Sequence, residues 1–169
     1  MRTLAPLALA LSFTACQSSG PRVVDADPAR RQALFEAVAG LEGRWQMEGP
    51  DGTAYIEFAV TAGGSAVRET MFPGTPYEMV NMYTLDGNGL AMTHYCAAGN
   101  QPHMRADALE GDRLAFRTTG VSDLKAPDEH YMGSMTLVFV DADHVEQHWV
   151  SLNAPESEHM PAFALSRVR

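Results

Sequence analysis

The run Met92-Thr93-His94-Tyr95-Cys96-Ala97-Ala98-Gly99-Asn100-Gln101-Pro102-His103-Met104 holds the densest set of side chains able to do chemistry. Met, His and Cys are soft ligands that select Cu(I) over hard cations such as Ca²⁺ or Mg²⁺. In a strand, alternation puts Met92, His94 and Cys96 on one face, with successive members about 7 Å apart, so two neighbours converge on one ion. His103 and Met104 return across a Gly-Asn-Gln-Pro turn, and the candidate soft-metal set is His94, Cys96, His103 and Met104. The competing account makes Met92 and Cys96 ordinary core, His94 a hydrogen-bonded polar group inside a barrel, and Asn100 and Gln101 turn residues. Contact of these residues with an organic ligand, without metal, is the stronger of the two functional readings.

Other constellations exclude more than they support. His144-Val145-Glu146-Gln147-His148 lacks the helical His-Glu-x-x-His spacing of a zinc protease. On a strand its two histidines lie about 13 Å apart, too far for one ion, and a solvated face is expected with Trp149 on the opposite, buried side. Arg68 and Glu69 adjoin and must face opposite ways. An inward Arg68 would need a partner or an anionic ligand, and an inward Glu69 is the equal alternative. Nucleophile elbow, phosphate loop and dinucleotide fingerprint are all missing. His94 and Cys96, two apart, run parallel with no recognisable orienting group, so whether the protein is an enzyme stays open, with the non-catalytic reading ahead.

The chain has 169 residues, with 12 basic and 21 acidic side chains and a formal charge of −9. Met1-Arg2, the apolar run Leu4 to Leu11, and Phe13-Thr14-Ala15-Cys16 form a secretory signal. Its terminal cysteine makes it resemble a bacterial lipoprotein signal, although Phe13 stands where such signals usually carry Leu, Val or Ile. The resemblance implies cleavage before Cys16, lipid on that residue, and, with Gln17 following, an outer membrane location facing the periplasm. Losing residues 1–15 removes Arg2 alone and leaves 11 basic against 21 acidic residues, a charge of −10. Such acidity disfavours nucleic acid. Membrane attachment would rest on the lipid only, since no later apolar run reaches the length of a bilayer span. With Cys16 lipidated, Cys96 has no intramolecular disulfide partner, and burial is the commonest state for such a thiol.

The expected organisation is a signal over 1–15, a tether over 16–27, and a single domain over 28–169. Asp27 caps and Pro28 opens a helix carrying Leu34, Phe35, Val38 and Leu41 on one side, ended by Gly40. From Gly43 on, short alternating runs divided by turn residues predict strands at 43–49, 53–61, 65–72, 77–86, 89–97, 102–109, 112–119, 131–141, 143–152 and 161–168. The gap from Gly120 to His130 reads as a loop over one end. About ten consecutive strands joined by hairpins favour an all-β, antiparallel, up-and-down barrel behind one short helix. Ala54, Ile56, Phe58 and Val60 form one inward face, and Gly133, Met135, Leu137 and Phe139 another.

At Leu41-Glu42-Gly43-Arg44-Trp45 the chain resembles the calycins, the superfamily of lipocalins and fatty-acid-binding proteins, where a Gly-x-Trp follows a short helix and the Trp plugs the closed barrel end. Asp51-Gly52, Gly63-Gly64 and Glu69 extend the likeness to bacterial lipocalin-like domains over roughly residues 34–169. The resemblance implies a small, mostly apolar or amphipathic ligand in the lumen, contacted by Trp45, Ile56, Phe58, Met92 and Trp149 and oriented by Arg68, His94 or Gln101. No cofactor is expected on this reading. The alternatives are a haem-binding barrel similar to nitrobindin, with His94 or His148 as axial ligand, a Cu(I) site, and a structural envelope lipoprotein with a filled lumen.

Overall fold

A computed structural model describes residues 26–49, 52–154 and 162–169. The signal segment, Cys16, nearly all of the tether and the Pro50-Asp51 half of the first turn lie outside the described residues. Helix α1 (Pro28–Ala39) starts as its sequence predicts, with Asp27 Oδ1 accepting the backbone N–H groups of Ala29 and Arg30 at 3.0 and 3.4 Å. These are donors that a first helical turn leaves without partners. Leu34 and Val38 face the core, and Phe35 packs half-buried beside them.

The strands follow in order: β1 (Gly43–Gly49), β2 (Gly52–Thr61), β3 (Ala66–Met71), β4 (Met79–Asp86), β5 (Gly89–Tyr95), β6 (Gln101–Ala106), the two-residue β7 (Leu109–Glu110), β8 (Arg113–Ser122), β9 (Tyr131–Phe139), β10 (His144–Leu152) and β11 (Phe163–Arg167). Every pairing is antiparallel and almost all join sequence neighbours. β1 pairs with β11, and β6 with β8, so ten strands close into a barrel with β7 as an extra stub on β8. Closure leaves none of the ten as an open edge. The expected all-β, ten-stranded, up-and-down barrel behind a single helix is what forms.

Two register shifts change which residues face inward. In β9 the step from Val150↔Ser134 to Ser151↔Met132 leaves Gly133 as the extra residue of a bulge. Met135 and Leu137 face in as the alternation predicts, but Met132 takes the inward place expected of Gly133. A Cβ on Gly133 would stand 2.5 Å from the Leu152 side chain, which would have to shift to admit one. A second shift, after His103 of β6, lets β8 run on to Ser122, beyond the predicted end at 119. The loop that follows is correspondingly shorter, from Asp123 to His130.

The helix covers one barrel end. It is tied to the β4–β5 turn by Asp27 N–H donating to Asn88 Oδ1 at 2.7 Å and Arg31 donating to the Gly87 carbonyl, and to Asp107 by Arg30. Beneath it Trp45, 1% exposed, donates its indole N–H to the Leu41 carbonyl at 2.7 Å. The guanidinium of Arg167, from the last strand, lies 4.2 Å over the Trp45 ring and donates to the carbonyls of Glu42 and Gly40 at 2.8 and 3.0 Å. First strand, last strand and helix are thus clamped at one point. Replacing Arg167 by lysine keeps the charge but loses the planar fork and the stacking. We expect Arg167→Lys to cost about 2 kcal/mol in urea denaturation, with the barrel otherwise intact.

Candidate functional site

A continuous row of cross-strand neighbours, Phe58↔Glu69↔Asn81↔His94, runs from β2 to β5 on the inward face. Three of these four side chains are polar and essentially without solvent: Glu69 and Asn81 are 0% exposed and His94 1%. A buried polar group is tolerated only when hydrogen-bonded, and here the partners converge on one carboxyl. Asn81 Nδ2 donates to Glu69 Oε2 at 2.7 Å, and the Tyr83 hydroxyl donates to the same oxygen at 2.6 Å. From across the barrel, 78 residues further along the chain, Gln147 of β10 donates through Nε2 to Glu69 Oε1 at 2.6 Å. The barrel interior is therefore bridged by a hydrogen-bonded network rather than filled only with apolar side chains.

The direction of this network follows from donor chemistry. Indole nitrogen can only donate, so Trp149 Nε1, 3.2 Å from Gln147 Oε1, requires the Gln147 oxygen on its side and the amide nitrogen toward Glu69. A carboxylate likewise draws the nitrogen of Asn81. The Asn81 oxygen is then left facing His94 Nδ1 at 2.6 Å, so the imidazole proton sits on Nδ1. His94 Nε2 keeps a bare lone pair, and among the described residues it has no hydrogen-bond partner while being fully buried. The imidazole ring packs 4.8 Å from the Trp149 ring.

Burial governs the protonation of all three titratable members. It pushes the Glu69 carboxyl up from its ordinary value, while the hydrogen bonds from Asn81, Tyr83 and Gln147 pull it down. It also raises the Tyr83 hydroxyl, with the charge of Glu69 adding to the effect, so the phenol stays protonated. For His94, desolvation lowers the pKa from 6.5 to about 4, and the ring is neutral at physiological pH.

His94 is itself buried, and the inward side chains become slightly more exposed toward the barrel end away from the helix. Trp149, Met132 and Phe163 point inward near the end opposite the helix and keep 7–8% exposure, against 0–1% for Leu90, Met92, Leu114 and Leu137. Phe72 and Met79 lie half-buried at the same end, and Phe72 meets Phe163 edge to face at 5.9 Å. One outer concavity of about 530 Å³ lies between β8 and β9, beyond the end of their ladder at Arg117↔Ser134, and it does not include His94.

Several residues singled out from sequence are placed elsewhere. Arg68 is exposed, and the lumen charge belongs to Glu69 instead, because Glu69 shares the inward row of Phe58. Gln101 is half-buried on the outer side of β6, where its amide donates to the Gly99 carbonyl at 3.2 Å. The soft-metal set does not assemble. His103 and Met104 are consecutive and face opposite ways, His103 outward against Thr93 and Ser122 and Met104 inward at 1% exposure. Cys96 lies past the end of β5, half-buried, with its thiol pushed up by burial and so less nucleophilic. His148 points outward and pairs with Glu146 at 2.7 Å. Among the described residues, no three His, Cys, Asp or Glu side chains lie close enough to share a metal ion. Trp45, Ile56, Phe58 and Met92 face inward but belong to the packed core, with Trp45 at the helix-covered end. His94 and Trp149 are the two candidates brought together.

Asn81, Tyr83 and Gln147 were not foreseen. Gln147 alone had a usable signal, since it alternates with Val145 and Trp149 on the face opposite His144, Glu146 and His148. Compared with known proteins, the chain matches no family model and no curated protein.

Linkage gives the network a pH signature. The folded-state pKa of His94 is below its unfolded value, so the unfolded chain binds more protons between pH 6.5 and about 4, and stability falls as pH falls through that window. Comparing urea unfolding near pH 7 and near pH 4, the wild type is expected to lose about 3 kcal/mol more than His94→Gln. Tyr83 stays protonated across this range and Glu69 is present in both proteins, so the difference between them reads His94.

Proposed function

We propose that this protein is an exported, lipid-anchored, calycin-like barrel that holds a small, largely apolar molecule in the open half of its lumen. The observation that carries the reading is His94: a neutral imidazole, buried beside Trp149, whose Nε2 lone pair has no partner among the described residues. Leaving a buried acceptor unsatisfied costs about 1–3 kcal/mol. The rest of the network keeps every other polar atom of Glu69, Asn81 and Gln147 engaged. A ligand that reaches Nε2 recovers that cost and buries apolar surface against the aromatic and methionine side chains of the mouth, worth about 25 cal/mol per Å².

Among the described residues, no side-chain nucleophile accompanies His94. No described serine, threonine or cysteine hydrogen-bonds Nε2. Haem or Cu(I) is the second reading. It is favoured by the Asn81 contact that fixes the proton on Nδ1, the arrangement that orients histidine toward an ion on its other nitrogen. Export, the lipid on Cys16 and the outer membrane location rest on the resemblance of residues 1–16 to a lipoprotein signal.

Native mass spectrometry of the full-length gene product, extracted from bacterial membranes, tests the reading. The expected species begins at Cys16, carries acyl chains that Cys16→Ser abolishes, and retains an organic adduct that His94→Leu loses. An unlipidated, ligand-free chain would contradict it, and an iron-porphyrin or copper adduct would favour the second reading.

A further inference from the structure

The lumen chemistry also selects the head group of the ligand. We propose that the site takes a neutral amphiphile bearing one hydrogen-bond donor, a primary alcohol or an equivalent N–H compound, in preference to a carboxylate or an ether of the same apolar length. This inference rests on the carrier reading above.

Three observations support it. The open polar atom, His94 Nε2, is an acceptor, because Nδ1 carries the ring proton toward Asn81 Oδ1. That assignment is held from a distance. Trp149 can only donate, which turns the Gln147 amide nitrogen to Glu69, and Glu69 meets donors from all sides and draws the Asn81 nitrogen as well. A ligand hydroxyl supplies the matching donor. An ether of the same length can only accept, and would set one lone pair against another.

The second observation is the sign of the interior. Among the described residues, the buried charged and polar side chains are Glu69, Asn81, His94, Asn100 and Gln147, with no lysine or arginine among them. Arg68, beside Glu69 in sequence, faces solvent. A carboxylate head group would lie near Glu69 without a counter-ion, and an anion buried without a partner is strongly disfavoured. Third, the indole of Trp149 packs 4.8 Å from the imidazole, so a ligand whose head group bonds to Nε2 would lay its apolar part against that ring.

The test is a calorimetric titration of the intact protein with decanol, decyl methyl ether and decanoate. Decanol is expected to bind about tenfold more tightly than the ether, the equivalent of one hydrogen bond, and decanoate more weakly than either. In His94→Leu the order of the first two should reverse, because the hydroxyl is then desolvated with nothing to donate to. Should that variant fail to fold, nitrogen NMR of the unaltered protein gives the same answer: the His94 Nε2 signal moves on adding decanol and stays in place with the ether. Ether or decanoate binding as tightly as decanol, or an unmoved Nε2 signal, overturns the proposed selectivity and leaves the carrier reading standing. Failure of all three to bind overturns the carrier reading and the selectivity with it.

Discussion

Glu69 can occupy the dry interior of this barrel because three side chains from two other strands donate to it. A carboxyl removed from water needs its oxygens filled, and Asn81, Tyr83 and Gln147 fill them at 2.6–2.7 Å. Each donor is then constrained in turn. Gln147 is oriented by Trp149, and Asn81 passes the constraint to His94 by presenting its oxygen. The protonation and direction of the imidazole are thus consequences of a carboxyl that His94 does not itself touch. Networks of this kind are stabilising only when complete, and the incomplete atom, Nε2, is where a functional role is expected.

The two barrel ends differ in how tightly their inward side chains are packed. At the helix-covered end, Arg167 ties the last strand to the first through Trp45 and the carbonyls of Gly40 and Glu42, and the side chains above it are packed to 0–2% exposure. That end joins the first strand to the last. At the opposite end, inward aromatic and methionine side chains keep some exposure, and the turn between β5 and β6 meets the loop between β8 and β9, with Asn100 donating to Glu129 and to the His130 carbonyl. The row Phe58↔Glu69↔Asn81↔His94 carries the network across four neighbouring strands, from β2 to β5.

Strand order and closure were legible because both depend on local signals: period-two alternation, turn residues at short intervals, and an Asp-Pro start for the one helix. Facing direction was legible only where apolar residues alternate without interruption, as in β2. In β9 the Gly133 bulge exchanged Met132 for Gly133 on the inward face, and nothing in a single sequence separates a bulge glycine from a strand glycine. The candidate site was half legible. His94 and Trp149 stood out by residue type, whereas the choice between Arg68 and Glu69 depended on the phase of a six-residue strand whose two faces both carry a charge. Asn81 and Tyr83 gave no sign of function, since their role arises only from pairing with β3. The contact of Gln147 with Glu69 spans the lumen and follows from closure alone.

The most direct measurement of this account is the tautomer and charge of His94, read from the imidazole nitrogen NMR shifts of the ligand-free protein between about pH 7 and pH 5. The network predicts a neutral ring throughout, protonated on Nδ1 and bare on Nε2, consistent with a pKa lowered to about 4. A proton on Nε2, or an imidazolium already formed near pH 6, would mean that Glu69 does not set the polarity of the lumen, and the account would fail.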